Sequence, residues 1–541
     1  MLRPTDRARD GRRLLSRSER TDRGTSRTEG NDRTPGRDLP GGSRARARRA
    51  GALLLPVVLA APLVGAPRTG ASTTSITTSI GSGSGSPEAR TSFSFRPWIS
   101  ADGRYVGFDS DSAGLVAGDT NRVRDVFVYD RDNGSVERVS VGPGARQSNG
   151  DSQRPTLSSD GRFVAFWSAA DNLIDSDTNG ETDCFVHDRQ THDTIRVDRG
   201  PDDLEANGDC ARPVISGDGK LVAFESAASN LEKPGVLNKS TDTNKARDVF
   251  LRDLEAGTTK RISLTSDGKQ GSGESVRPAI STDGRYVAFQ SDAALQTDDT
   301  NTKTDVYLYD RETAEVTRVS IGPGGVEGSG GSFSPALSAD GRFVAYWSNA
   351  GNLASDDNNK AGDVFVFDRS DGSTARVSIG EGGEQGDGMS SDPAISPDGR
   401  YVAFWSGATN LVPDDTNGKR DIFLADRESG AVTRVSVADD GTQADGDSFS
   451  PNIGAGGEIV AFDSTARTLV PDDPKTKGSD VFLYQEDSPA ATAPPARPAP
   501  PPEQPAAPAD ESAGQADPPA DNAAPPADNA EPPAEGADRA E

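Results

Sequence analysis

Pro393-Ala394-Ile395-Ser396-Pro397-Asp398-Gly399-Arg400-Tyr401-Val402-Ala403-Phe404 is one copy of a phrase that this chain repeats seven times. The common form is Pro-x-Ile/Leu-Ser-x-Asp-Gly, then Arg, Tyr or Phe, and Val-Ala-Phe. Copies begin at Pro97, Pro155, Pro213, Pro278, Pro335, Pro393 and, in degraded form, Pro451, at steps of 58, 58, 65, 57, 58 and 58 residues. A period of this size marks one supersecondary unit copied in space. A single unit cannot bury its own apolar faces, so the copies must pack on one another.

Working outward from the sixth copy, Pro393 to Ser396 is a short extended run. Asp398-Gly399 is a tight turn, in which glycine supplies the positive φ. Tyr401 to Ser406 is apolar with little alternation, as in a strand covered on both faces. A polar loop through Asn410, Leu411 and Asn417 leads to a third strand, Asp421 to Asp426, rich in apolar and aromatic residues. Glu428-Ser429-Gly430 turns the chain into a fourth, Val432 to Val437. Four antiparallel strands of ~5–6 residues joined by hairpins make one propeller blade. No segment carries a sustained 3.6-residue apolar period, so helix is not expected.

The expected fold is therefore all-β: a seven-bladed β-propeller of four-stranded antiparallel blades over residues 74–486. The seventh copy supplies three strands and then runs into Ser488-Pro489. The missing strand is expected upstream, in Ser75 to Gly81, where Thr78-Ser79-Ile80-Gly81 matches the Val-Ser-Ile-Gly at Val319 and at Val377. An N-terminal strand in the last blade would close the ring and remove a free edge.

The phrase Ser-x-Asp-Gly-Arg-Tyr-Val-Ala-Phe, followed by Asp-Val-Phe-Val-x-Asp and Arg-Val-Ser, resembles the TolB-like (WD-like) β-propeller repeats of bacteria. The resemblance covers about three-quarters of the chain. It implies a periplasmic or secreted interaction scaffold. Relatives of that family include several enzyme classes, among which the fold does not choose. The chain departs from the family pattern in its longer loop between the second and third strands.

The 541 residues carry a net charge of −27. Residues 1–70 hold sixteen arginines against seven acids, so the remainder stands at −36. Such a domain repels nucleic acid and anionic lipid. Residues 1–50 read as a disordered basic extension. Residues 51–70 read as a signal-peptide-like segment: Gly51 to Ala66 is apolar, broken by Pro56 and Pro62, ends in small residues, and is shorter than the ~20 residues of a membrane span. Residues 487–541, rich in Pro, Ala and acids, read as a disordered tail or stalk. The expectation is an exported, secreted or cell-surface monomer with no membrane span in its mature chain.

Cys184 and Cys210 are the two cysteines, and in an exported protein they form a candidate disulfide. The alternative is one buried thiol and one in a loop. The sharpest local motif is Asp175-Ser176-Asp177-Thr178-Asn179-Gly180-Glu181-Thr182-Asp183. It places oxygen ligands on alternate positions with glycine at the bend, as a hard cation requires. It resembles the nine-residue calcium loops of integrin-type propellers. That resemblance implies side-chain oxygens from Asp175, Asp177, Asn179 and Asp183 and a backbone carbonyl from Glu181. Weaker copies recur as Asp119/Asn121/Asp125, Asp242/Asn244/Asp248, Asp299/Asn301/Asp305, Asp357/Asn359/Asp363 and Asp415/Asn417/Asp421, each without the first ligand. The other reading is that Asp and Asn brace the turn without metal.

In an up-and-down blade the long loops share a face with the connections between blades, so the acidic segments gather on one face of the disc. Trp167, Trp347 and Trp405 occupy one repeat position, which is Asp109, Glu225, Gln290 or Asp463 elsewhere. A place that takes both Trp and Asp is expected near solvent, where the rings could stack on sugars; inter-blade packing is the alternative. Repeated arginines on strand four, from Arg138 to Arg434, are expected to pair with neighbouring acids.

Catalytic signatures are sparse. Two histidines, His187 and His192, make a multi-histidine lyase or a zinc hydrolase hard to build. There is no G-x-S-x-G elbow, no phosphate-cradling glycine loop before a helix, and no carboxylate pair that stands out from the repeat pattern. The sequence points to a non-enzymatic scaffold binding a protein or cell-envelope polymer through its acidic face, with calcium the candidate that stiffens it. A carbohydrate-binding or glycoside-cleaving propeller is the alternative, and a surface spacer without specific ligand is the third reading.

Overall fold

The computed structural model describes residues 71–77, 92–233, 242–471, 473 and 477–486. The basic extension, the signal-like segment and the C-terminal tail lie outside the described residues. Seven four-stranded antiparallel sheets follow the seven repeats. Blades 1 to 6 span Ser94–Arg138, Ser152–Arg196, Cys210–Arg261, Ser275–Arg318, Ser332–Arg376 and Ser390–Arg434. Blade 7 takes three strands from Ser448–Glu486 and its fourth from Ala71–Ser75.

Each blade buries one aromatic pair, contributed by its second and third strands. These run from Phe108–Phe127, at 5.8 Å between ring centroids, to Phe404–Phe423 at 6.0 Å. The apolar cores lie between blades: Leu221, Ala223 and Leu251 of blade 3 pack with Val287, Phe289 and Tyr307 of blade 4. The Asp-Gly turns explain the recurring glycine twice over. Gly399 has φ +75°, and a Cβ there would overlap the ring of Phe343 in the preceding blade. Only glycine meets both demands.

The N-terminal strand closes the ring, two residues earlier than the repeat match suggests. Ala71 to Ser75 pairs antiparallel with Phe482 to Glu486. Ser75 therefore stands where Arg376 stands, and Ile76-Thr77 takes the place assigned to Thr78-Ser79. The deciding contact is the Thr77 hydroxyl on Asp480, which reproduces Ser378 on Asp363 in blade 5 (2.6 Å). A shift of two keeps every side chain on its face, so composition alone did not fix the register. Across the seam, Ser94 N–H donates to the Ser479 carbonyl (2.8 Å). Ile99, Val106 and Phe108 of blade 1 share a core with Ala461, Val481 and Leu483 of blade 7.

Every innermost strand carries the same irregularity. Its register slips around the residue before the repeat proline, as between Gln153 and Thr156 in blade 2. That residue has positive φ in all seven blades: Arg96 54°, Arg154 54°, Arg212 50°, Arg277 56°, Ser334 50°, Asp392 46° and Ser450 50°. A bulge of this kind re-aims a side chain, here toward the axis of the ring.

Candidate functional site: braced acidic loops and an arginine-lined channel

Blade 6 shows how the acidic loops are built. Arg434, from the fourth strand, lies between Asp415 (3.1 Å) and Asp421 (3.9 Å). Asn417 donates its amide to Asp421 (2.8 Å) and to the Ala444 carbonyl (3.1 Å), while its oxygen accepts the Lys419 N–H (2.9 Å). Ser436 donates to Asp421 (2.6 Å), and the Gln443 oxygen accepts the Asn417 N–H (3.0 Å). A guanidinium thus holds the place expected for a metal ion. The arrangement recurs in blade 1, where Arg138 sits 3.1 Å from Asp119 and 3.6 Å from Asp125, with Asn121 on Asp125. In blade 5, Arg376 lies 3.8 Å from both Asp357 and Asp363.

In blade 2 the five residues expected as ligands do not converge. Asp177 (3.3 Å) and Asp183 (2.6 Å) face Arg196, and Asn179 donates to Asp183 (3.0 Å). Asp175 turns away, its side chain 81% exposed, toward Arg146. Glu181 is exposed and contributes its N–H to Asn179. Two residues that the motif does not contain join instead: Asp198 (3.3 Å) and Glu205 (3.0 Å). They stand where blade 6 has Ser436 and Gln443. Four carboxylates therefore surround one guanidinium. Burial and the charge of Asp198 push Asp183 up to about 8, and burial brings Asp198 to about 6. The crowding of like charge around one guanidinium favours proton uptake by the cluster. Blade 4 is crowded as well: Arg318 meets Asp298 (3.3 Å), Asp299 (3.8 Å) and Asp305 (4.0 Å), and carboxylate oxygens of Asp299, Asp305 and Glu327 lie within 4.8 Å of one another, an acidic group compact enough for a metal ion. Arg318 stands 2.9 Å from Glu327.

The acidic members of the tryptophan position are buried between blades, while Trp167 and Trp347 are half-buried and Trp405 is buried. Asp109, Glu225 and Asp463 are 0%, 2% and 3% exposed. Their carboxylates accept the N–H of the next blade's bulge residue: Asp109 from Arg154, Glu225 from Arg277 and Asp463 from Arg96. Where tryptophan stands, packing replaces that bond. Trp347 stacks on Phe333 at 4.5 Å. Trp405 meets the edge of Phe449, lies under Arg420 at 5.2 Å, and donates Nε1–H to Asp392. Trp167 packs against the core between blades 2 and 3. The rings sit on separate blades, and Trp347 and Trp405 have aromatic partners within the protein.

Cys184, on the third strand of blade 2, is joined to Cys210, on the first of blade 3, across a Cα separation of 5.6 Å. Both are fully buried, so the bond ties two neighbouring blades.

The feature that the sequence reading passed over is the channel. A cavity of about 380 Å³ runs along the ring axis from the bulge residues to the Asp-Gly turns. Blades 1 to 4 put Arg96, Arg154, Arg212 and Arg277 into it, and blades 5 to 7 put Ser334, Asp392 and Ser450. Arg277 is satisfied by Ser334 (2.8 Å) and Asp392 (3.7 Å), Arg96 by Gln153 (3.1 Å) and Asp109 (3.6 Å), and Arg212 by Glu225 (3.6 Å). Among the described residues no carboxylate lies within ion-pair distance of Arg154. Burial and the neighbouring arginines pull Arg154 down to about 9, and Arg212 to about 10. The signal in the sequence is Arg-Pro at four of the seven repeat starts, with the arginine one position before the repeated phrase.

Compared by sequence, the chain matches no protein-family profile and no curated protein. Solved structures resemble it in fold. An oligogalacturonate lyase from Vibrio parahaemolyticus is 13% identical with a TM-score of 0.45, covering 73% of this chain and 90% of that one. TolB from Acinetobacter baumannii is 15% identical with a TM-score of 0.34, covering 73% and 80%. An acylaminoacyl peptidase from Pyrococcus horikoshii is 12% identical with a TM-score of 0.43, covering 72% and 51%. The likeness is one of fold alone.

Proposed function

We propose that this chain is an exported binding propeller that takes an anionic group of a protein or cell-envelope partner into the arginine half of its channel. The carrying observation is Arg154, a largely buried guanidinium with no carboxylate partner beside three further arginines. An unpaired buried charge is costly, and a planar guanidinium is suited to a carboxylate or phosphate. No helix of the described residues is long and apolar enough to cross a membrane. Calorimetric titration with citrate and inorganic pyrophosphate tests this. Saturable binding that Arg154→Ala abolishes supports it; no binding of either anion, or unchanged binding by Arg154→Ala, overturns it.

A second reading keeps the acidic face as the docking surface for a cationic partner. It is favoured by the loop carboxylates left exposed, Asp175 at 81%, Asp298 at 70% and Asp356 at 67%. Calcium belongs to this reading at blade 2, where four carboxylates meet one guanidinium and two of them, Asp198 and Glu205, replace neutral residues of blade 6. The carbohydrate reading loses support because the three tryptophans stand on separate blades and two of them, Trp347 and Trp405, pack on aromatic rings of the protein.

A further inference from the structure

Both histidines of the chain meet one carboxylate from the neighbouring blade. Ligand atoms of Glu137 (fourth strand of blade 1), His187 (third strand of blade 2) and His192 (the turn after it) lie within 4.8 Å of one another. All three depart from what the repeat places there. Glu137 stands where other blades have Ile195, Lys260, Thr317, Ala375 and Thr433. His187 replaces Tyr129, Arg252, Tyr309, Phe367, Ala425 and Tyr484. His192 occupies a left-handed turn position (φ 62°) that is glycine at Gly134, Gly257, Gly372 and Gly430. A histidine held at positive φ is a local strain, of the kind that gathers at functional sites.

The hydrogen bonds prepare His187 as a ligand. Thr194 donates its hydroxyl proton to the Val141 carbonyl (2.7 Å), so its oxygen can only accept from His187 Nδ1–H (2.9 Å). The tautomer is thereby fixed, and Nε2 carries a lone pair. His187 is fully buried, and Nε2 has no hydrogen-bond partner among the described residues. A metal-bound imidazole is oriented in this way, through a partner on its other nitrogen. Glu137 is prepared likewise: Arg189 holds Oε2 (3.0 Å), while Oε1 faces His192 Nδ1 (3.8 Å). Arg189 is the nearby competing cation, and it lies over the Tyr105 ring at 4.4 Å.

We propose that Glu137, His187 and His192 bind one first-row transition-metal dication of the zinc class at the outer edge between blades 1 and 2. Two imidazoles and a carboxylate form a borderline donor set that suits zinc better than calcium. Bonds of ~2.0–2.1 Å put the ligand atoms of a tetrahedral ion about 3.4 Å apart. The exposed His192 closes that gap by rotating its side chain, and water takes the fourth position. The site is independent of the channel reading.

The test is zinc alone, titrated against a chromophoric competitor into the full EDTA-stripped chain without affinity-tag histidines. One equivalent binds. Thr194→Val, which removes the orienting hydroxyl, weakens it by about 10–100-fold. His192→Ala weakens it further, with an unchanged zinc-free melting temperature because the side chain is 71% exposed. That variant keeps the result apart from any folding defect of changing the buried His187. Absence of a one-equivalent site, or wild-type affinity in His192→Ala, overturns the proposal.

Discussion

Blades 2 and 6 run the same loop with the same Asp, Asn and Arg, yet one is a quiet brace and the other a charge-crowded cluster. In blade 6 two carboxylates face Arg434, with Ser436 and Gln443 completing the bonds. In blade 2 those two neutral residues are Asp198 and Glu205, and four carboxylates face Arg196. The difference lies outside the motif that looks like a metal loop. A loop's capacity for a cation is set by the groups that fold back on it from the following strand and connection.

The largest effect should come from removing the guanidinium. Breaking a buried ion pair from one side costs ~3–5 kcal/mol. We expect Arg434→Ala to lose about that much in denaturant unfolding and Arg196→Ala to lose more, because it strands twice the carboxylates. A smaller loss in blade 2 would show that Asp183 and Asp198 are relieved by protonation alone. Next is the covalent tie that blade 2 has and blade 6 lacks. Reducing Cys184–Cys210 should cost ~2–4 kcal/mol, while dithiothreitol leaves a Cys184→Val/Cys210→Ser variant unmoved.

Calcium sharpens the comparison further. Millimolar Ca²⁺ against EDTA should raise the melting temperature through blade 2, by about 2.7 kcal/mol at ~100 times the dissociation constant. Asp198→Ser should remove the rise and Asp415→Ala should not. An unchanged wild-type curve makes every loop a self-contained brace.

The smallest effect is on pH dependence. The carboxyls of Asp183 and Asp198 have folded-state pKa values raised, to about 8 and about 6, above the ordinary 3.8. The folded chain then holds protons that the unfolded chain releases, so their contribution is full below about pH 4 and is lost as pH rises through 6 to 8. Asp198→Ser should flatten that fall, and a steeper one would reverse the assignment.

The blades were legible because a strand's period of two and the Asp-Gly turns are local signals, repeated until noise averages out. The N-terminal strand's presence was legible, but its register was not, since Ile76-Thr77 and Thr78-Ser79 offer hydroxyl-bearing pairs two residues apart. The calcium motif was legible as a spacing, but the groups around it were not. Asn179 and Asp183 have the right spacing, but the cation that meets them is Arg196, a residue beyond the loop. Glu137 and His187 could not be paired from sequence at all, because only the packing of blade 1 on blade 2 brings them together. The channel arginines were in plain view, but a repeat read from its proline forward does not include the residue behind it.

The closing strand has a mechanical consequence. Ala71 lies opposite Glu486, at the same end of an antiparallel pair. The described chain therefore enters and leaves the ring side by side, at Ala71 and Glu486. A load applied between the two flanks would peel this pair open one hydrogen bond at a time, starting at Ala71. Thr73, bonded to Asp439 and to the Val437 carbonyl of the neighbouring blade's trailing segment (2.7 and 2.6 Å), is the first side-chain catch that such a peel would meet.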